Sequence, residues 1–169
     1  MFVGGWGNRY IGRNLNTMAN TYSQIFLHVV FAVKHRQALM PLSMLPRIHA
    51  YMAEIANNNG HRVVEIGGTP NHVHILISYS VNQSIPYMIR DIKSGTSAMI
   101  NANGISLHRF EWQKGYACIS VSASHVESVR HYIKSQMQHH YGMSFANEIK
   151  LMLEKAGIKY DERYMMEDV

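Results

Sequence analysis

A chain of 169 residues is one domain's worth of polypeptide, and its 47% hydrophobic content is ordinary for a folded globular protein. No apolar run is long enough to span a bilayer, and Cys118 is the single cysteine, which excludes an internal disulfide and fits a reducing cytoplasm. The net charge of +5 is carried by Arg9, Arg13, Lys34, Arg36 and Arg47, all ahead of the first acid, Glu54, so the N-terminal third suits a phosphate-binding surface.

Residues 1–17 read as an N-terminal extension. They hold four glycines, Trp6 and Tyr10 without periodicity, and lack the apolar core of a signal peptide. Tyr22 to Lys34 predicts a strand, with Ile25, Leu27 and Val29 alternating against Phe26, His28 and Val30. Pro41 to Pro46 leads into a helix that stops near Asn57-Asn58-Asn59-Gly60. Two strands follow, Arg62 to Ile66 and Val73 to Ser78, with Gly67-Gly68-Thr69-Pro70 as the turn between them. Ser84 and Pro86 open a second helix to about Ile100, ended by Asn101 to Gly104. Tyr116 to Ala123 is a fourth strand, in which Cys118 reads as a buried, inert thiol.

Ser124 is then expected to cap a helix through about His140, with Glu127 completing an S-x-x-E capping box. Val126, Val129, Ile133 and Met137 form its apolar stripe; Ser128, Tyr132, Gln136 and His139 share a different, polar face. Ser144 to Ala156 predicts one further amphipathic helix, followed by a tail. The order β-α-β-β-α-β plus a helix is that of an α+β, ferredoxin-like split βαβ fold. It implies a four-stranded antiparallel sheet with helices on one face plus a C-terminal tyrosine-bearing helix.

The chemistry concentrates in Thr69-Pro70-Asn71-His72-Val73-His74. A strand alternates its side chains, so His72 and His74 leave one face together and can grip a divalent ion. Among 11 histidines one such pair is close to chance, and a strand histidine is more often a hydrogen-bonded residue than a ligand. The apolar, β-branched run that follows it places the pair at the start of a central strand, where a site is held firmly. Tyr132 and Gln136, at i and i+4, add a nucleophile beside a third ligand.

In this setting the chain resembles the single-tyrosine HUH transposases of small bacterial insertion sequences, which act on single-stranded DNA. The resemblance runs from about Met18 to His140. It rests on Tyr22-Ser23-Gln24-Ile25-Phe26-Leu27-His28-Val29-Val30-Phe31, on Pro70-Asn71-His72-Val73-His74, and on Phe110-Glu111-Trp112-Gln113-Lys114-Gly115-Tyr116. Ser120-Val121-Ser122 and Val129-Arg130-His131-Tyr132-Ile133, with Gln136 and His139-His140, complete it. Their order and spacing together are specific. The domain division expected is an extension over 1–17, a transposase domain over 18–143, and a C-terminal helix and tail over 144–169.

What the resemblance implies is an enzyme that cleaves and rejoins single-stranded DNA at insertion-sequence ends. Tyr132 would attack a phosphate to leave a 5′-phosphotyrosine and a free 3′-hydroxyl, assisted by Mg²⁺ or Mn²⁺ on His72, His74 and Gln136. Histidine suits Mn²⁺ better than the harder Mg²⁺. No base for the phenol is identifiable in the sequence. Partners would be single-stranded DNA with end hairpins and a second copy of the chain, in a homodimer whose active sites are shared between subunits; a cytoplasmic location and no membrane are expected. Lys34, Arg36, Arg90 and Lys93 are candidate phosphate contacts, although Lys93 could equally belong to a solvated helix face. Trp112 could stack on an extruded base, though a core or interface tryptophan is the commoner case. A domesticated nuclease associated with repeated palindromes would share all four site residues. A non-catalytic DNA-binding descendant should have lost one of His72, His74 or Tyr132, and a replication nickase usually has a longer chain.

Overall fold

The computed structural model describes residues 22–35, 38–139 and 143–162. The proposed extension over 1–17 therefore lies outside the described residues, as does Arg36. Four strands, β1 (Phe26–Ala32), β2 (Arg62–Thr69), β3 (His72–Ser78) and β4 (Ala117–Val121), form one antiparallel sheet in the order β2-β3-β1-β4. This is the ferredoxin-like arrangement expected from the sequence. β1 and β3 are central and covered on both faces, which is why they read as nearly unbroken apolar runs.

The two faces carry different helices. α1 (Leu45–Asn58) and α2 (Ile85–Ala102) cover the face made by Leu27, Val29, Phe31, Val73, Ile75 and Ile77, burying Ile48, Met52, Ile89 and Ile92 against it. The opposite face receives α3 (Val126–Lys134), the short α4 (Gln136–His139) and α5 (Phe145–Lys155). Ile133 of α3 packs on Phe26 and Leu76; Phe145 and Ile149 of α5 pack on Val30, Ala32 and Ala117. Alternation along β1 and β3 thus sends His28, His72 and His74 toward the tyrosine helix rather than into the main core.

Three details differ from the sequence expectation. β2 does not stop at Ile66 but runs through Gly67 and Gly68 to Thr69, leaving Pro70-Asn71 as a two-residue turn. A Cβ on Gly68 would stand 2.3 Å from the His72 carbonyl oxygen, and one on Gly67 would stand 2.5 Å from that of Ile133. These glycines are there for close approach, and Gly67 lets α3 lie down on β2. The Ser124–Glu127 capping box does not form. Ser122 precedes a 3-10 turn over Ala123–His125, and Ser122 Oγ and Ser124 Oγ lie 2.7 and 3.3 Å from His125 Nδ1, while Glu127 pairs with Arg130 at 3.7 Å. Serine here finds a neighbouring side chain in place of the helix amides.

The single helix expected to run to His140 is also interrupted, at Ser135. Its amide is shared between the carbonyls of His131 and Tyr132, at 3.1 and 3.2 Å, which tightens the chain by part of a turn. The stripe expected from a uniform 100° step is therefore lost beyond that point: Met137 is 46% exposed and Gln136 is buried. Tyr132, expected on an open polar face, is half-buried beside Val126 and Val129. Glu65 on β2 fastens α3 from the side, at 3.1 Å from Arg130 and 3.4 Å from Lys134.

Candidate active site

His72 and His74 leave β3 on the same face and are fully buried. Each has its Nδ1 engaged. The His72 Nδ1–H donates to Asn71 Oδ1 at 2.7 Å, with Thr69 Oγ1 at 3.0 Å. His74 Nδ1 stands 3.0 Å from Nε2 of His28 on the neighbouring strand. Both Nε2 atoms are consequently turned toward the same space. Such outer hydrogen bonds fix the tautomer and the ring plane of a ligating histidine.

That space is closed by residues from three helices. Gln136, at the start of α4, places Oε1 3.5 Å from His72 Nε2 and donates from Nε2 to Glu148 Oε1 at 2.8 Å. Glu148 on α5 stands 3.7 Å from His72 Nε2 through Oε2 and 3.4 Å from His74 Nε2 through Oε1. The Tyr132 hydroxyl donates to Glu148 Oε1. Phe145, one turn before Glu148, stacks on the His72 ring with centroids 4.5 Å apart. Sequence reasoning anticipated Tyr132, His72, His74 and Gln136, and the fold brings all four together.

Glu148 was not anticipated. A signal for it exists: Phe145, Glu148, Ile149 and Met152 share one helix face, so a carboxylate sits in the apolar stripe of α5. A buried acid on such a stripe needs partners, and here it has the tyrosine, the glutamine and both histidines.

Ligating atoms of His72, His74 and Glu148 all lie within 4.8 Å of one another. Two imidazoles and a carboxylate, with an amide oxygen beside them, are a donor set that fits Mn²⁺ or Mg²⁺. Burial pushes the Tyr132 phenol above its usual range, and the bond to Glu148 pushes it the same way. For Glu148, burial works upward but is outweighed by its contacts with His74, Tyr132 and Gln136, so the carboxyl is held well below the ordinary range. Without a cation the phenol therefore keeps its proton and the carboxylate its charge.

Of the basic residues singled out from the sequence, the three described, Lys34, Arg90 and Lys93, do not join this cluster. Lys34 pairs with Glu111 at 2.7 Å, and Arg90 pairs with Asp91 at 2.9 Å and lies over the Tyr87 ring. Lys93 donates to the carbonyls of Gln113 and Gly115, each at 2.8 Å, and burial lowers it to about 8. Arg90 and Lys93 stand on α2, across the sheet from the histidines. Trp112 is a core residue, packed edge-on against Phe31 and Phe110 at 4.8 Å. Cys118 is pushed up to about 11 by burial, which fits an inert thiol.

Access to the nucleophile is from one side of the sheet. A groove of about 780 Å³ runs between β4, α3 and α5, with His28 and Tyr132 in its wall and Ser120, Ser128 and Lys155 along it. Among the described residues, no helix is long and apolar enough to cross a membrane.

Comparison with known proteins bears on the same segment. The family described as "Transposase IS200 like" matches residues 21–136. The ISDra2 transposase TnpA of Deinococcus radiodurans is 25% identical over 118 residues, covering 67% of this chain and 84% of that protein. A crystal structure from Deinococcus radiodurans R1, described as that of a transposase, superposes with a TM-score of 0.54 at 20% identity. It covers 72% of this chain and 98% of that one. A REP-associated tyrosine transposase bound to a REP hairpin superposes with a TM-score of 0.50 at 10% identity, over 89% of this chain and 91% of that one. The two structural likenesses speak for the fold.

Proposed function

Since the chain belongs to the IS200-like transposase family, we propose that it cleaves and rejoins single-stranded DNA through a covalent bond between Tyr132 and a 5′-phosphate. The observation that carries this reading is the convergence of the Tyr132 hydroxyl, Glu148, Gln136 and the two histidines in one buried cluster. That convergence favours a catalytic protein over a non-catalytic DNA-binding descendant.

His72, His74 and Glu148, with Gln136 beside them, would hold Mg²⁺ or Mn²⁺. A bound ion would supply Lewis acidity at a phosphate oxygen and a positive charge that offsets the hold of Glu148 on the phenol proton. The residues of the chain do the rest. Tyr132 Oη bonds to phosphorus as the bond to the 3′-oxygen breaks, the phenol proton passing to solvent while Glu148 Oε1, which accepts its hydrogen bond, aims the hydroxyl. The 3′-oxygen leaves and takes a proton from solvent. The phosphotyrosine conserves the bond energy, so a second 3′-hydroxyl can displace Tyr132 without ATP. The groove beside Tyr132 offers the strand its approach, with Lys155 facing the phosphates. A hairpin-bearing strand is the substrate class we favour, given the REP hairpin bound by a neighbour of the same fold.

The test is direct. Single-stranded DNA carrying an end hairpin, incubated with the protein and Mn²⁺, should yield an adduct that survives denaturation, with the peptide mass shift at Tyr132. A strand cut without any adduct, or an adduct elsewhere, would refute the reading.

We further propose that the working enzyme is a homodimer. In the single chain α3 lies on its own sheet, so Tyr132 meets the histidines of the same subunit. Sites shared between subunits require α3 to leave that seat. Mixing Tyr132→Phe with a His72→Asn/His74→Asn double variant distinguishes the two arrangements, because only a shared site regenerates one intact centre per heterodimer. With subunit exchange shown by differently tagged chains, partial recovery of cleavage is expected. Continued inactivity would fix the site within one chain. Asparagine is chosen because both histidines are fully buried, and alanine would leave cavities as well as remove ligands.

A further inference from the structure

His72 and His74 are oriented by different means. The first is held by Asn71 and Thr69 on its own hairpin. The second is held from across the sheet by His28, a residue on β1 that is 5% exposed and belongs to no part of the chemistry above. The pairing register explains how they meet. His28 is opposite Leu76 and Val30 is opposite His74, so His28 and His74 are diagonal neighbours on one face of an antiparallel pair, with ring centroids 5.1 Å apart.

We propose that His28 is a positioning residue that makes His74 competent to bind the ion; the inference rests on reading His72 and His74 as metal ligands. An imidazole ligates through a lone pair. For His74 Nε2 to offer one, the ring proton must sit on Nδ1, and a proton there needs an acceptor. His28 Nε2, at 3.0 Å, is that acceptor, which places the proton of His28 on its own Nδ1. Without it His74 Nδ1–H would lose that acceptor, and the ring would shift toward the tautomer whose proton is on Nε2, directed at Glu148 3.4 Å away. The His28 ring also stands edge-on to Tyr132 at 6.2 Å, so the same side chain sets the wall against which the nucleophile rests. Leucine at position 28 could fill the strand but has no acceptor to offer His74 Nδ1.

The experiment compares His28→Leu, which keeps the volume but not the acceptor, with His28→Gln, which restores an acceptor oxygen. Mn²⁺ affinity is read by paramagnetic titration of the folded protein without DNA. We expect about a 10- to 100-fold weaker affinity in His28→Leu, the range that outer-shell partners command, and recovery to within several-fold in His28→Gln. Adduct formation should follow, with the defect of His28→Leu relieved by high Mn²⁺. Should His28→Leu fold poorly, the wild-type protein decides the matter through ¹⁵N spectra of the metal-free state, in which His74 and His28 should each already carry their proton on Nδ1. Equal affinity in folded His28→Leu, or a proton on His74 Nε2 in the metal-free protein, would overturn the proposal. A wild-type protein that binds no Mn²⁺ would instead remove the metal reading itself, so the two failures are told apart.

Discussion

Tyr132→Phe should reduce the covalent adduct by more than about a thousandfold, because the variant keeps the ring and loses only the attacking oxygen. Folding should suffer little. Gln136 Nε2 still donates to Glu148 Oε1 at 2.8 Å, so the carboxylate keeps a partner and the lost hydrogen bond costs about 1 kcal/mol. Binding of hairpin DNA should match that of the wild type in a mobility-shift titration. The informative comparison is adduct against binding in one preparation: an undiminished adduct would remove Tyr132 from the chemistry, and loss of both would show a folding defect.

Glu148→Ala should have the second largest effect, and on two readouts. Mn²⁺ affinity is expected to fall at least about 100-fold, since loss of a direct ligand exceeds the roughly 10- to 100-fold commanded by outer-shell groups. Adduct formation should fall with it, because the hydrogen bond that aims the Tyr132 hydroxyl is gone as well. Thermal stability should also drop, by about 1–3 kcal/mol, as buried donors on Tyr132 and Gln136 lose their acceptor. Glu148→Gln separates the contributions. It retains an acceptor oxygen of the same shape, so stability should largely return while metal affinity and adduct formation stay low. If both variants bind Mn²⁺ as tightly as the wild type, Glu148 is a clasp for α5 and not a ligand.

Much of this protein was legible from local pattern. The alternation of Leu27, Val29 and Phe31, the period of the helices and the Asn/Gly stops marked the four strands and the two helices between them. Their order is that of the observed sheet. Strand periodicity likewise put His72 and His74 on one face, because a pleat leaves no other choice. Helical spacing paired Tyr132 with Gln136, and they do meet, although across the break at Ser135. Where local pattern misled, a long-range contact or a competing hydrogen bond was the cause. Gly67 and Gly68 resemble a turn in sequence, but they continue β2 because the backbones of β3 and α3 come too close for any Cβ. The S-x-x-E pattern after β4 resembles a capping box, yet Ser122 and Ser124 turn to His125.

The division between the two sources of information is clearest at the buried cluster. Sequence determined the fold class and the histidine pair, which depend on spacing within an element; it also paired the tyrosine with its glutamine, although the break at Ser135 puts them on α3 and α4. Only the tertiary structure decided which other elements meet there. Glu148 lies 74 residues beyond His74 in the chain and His28 lies 46 before it, so no local period relates either to the site. The register of β1 on β3 delivers His28, and the docking of Phe145 and Ile149 on the sheet delivers Glu148. Burial does the remaining work: it removes water from the carboxylate and the phenol, so the phenol's proton depends on Glu148 and the carboxylate's charge on His74, Tyr132 and Gln136.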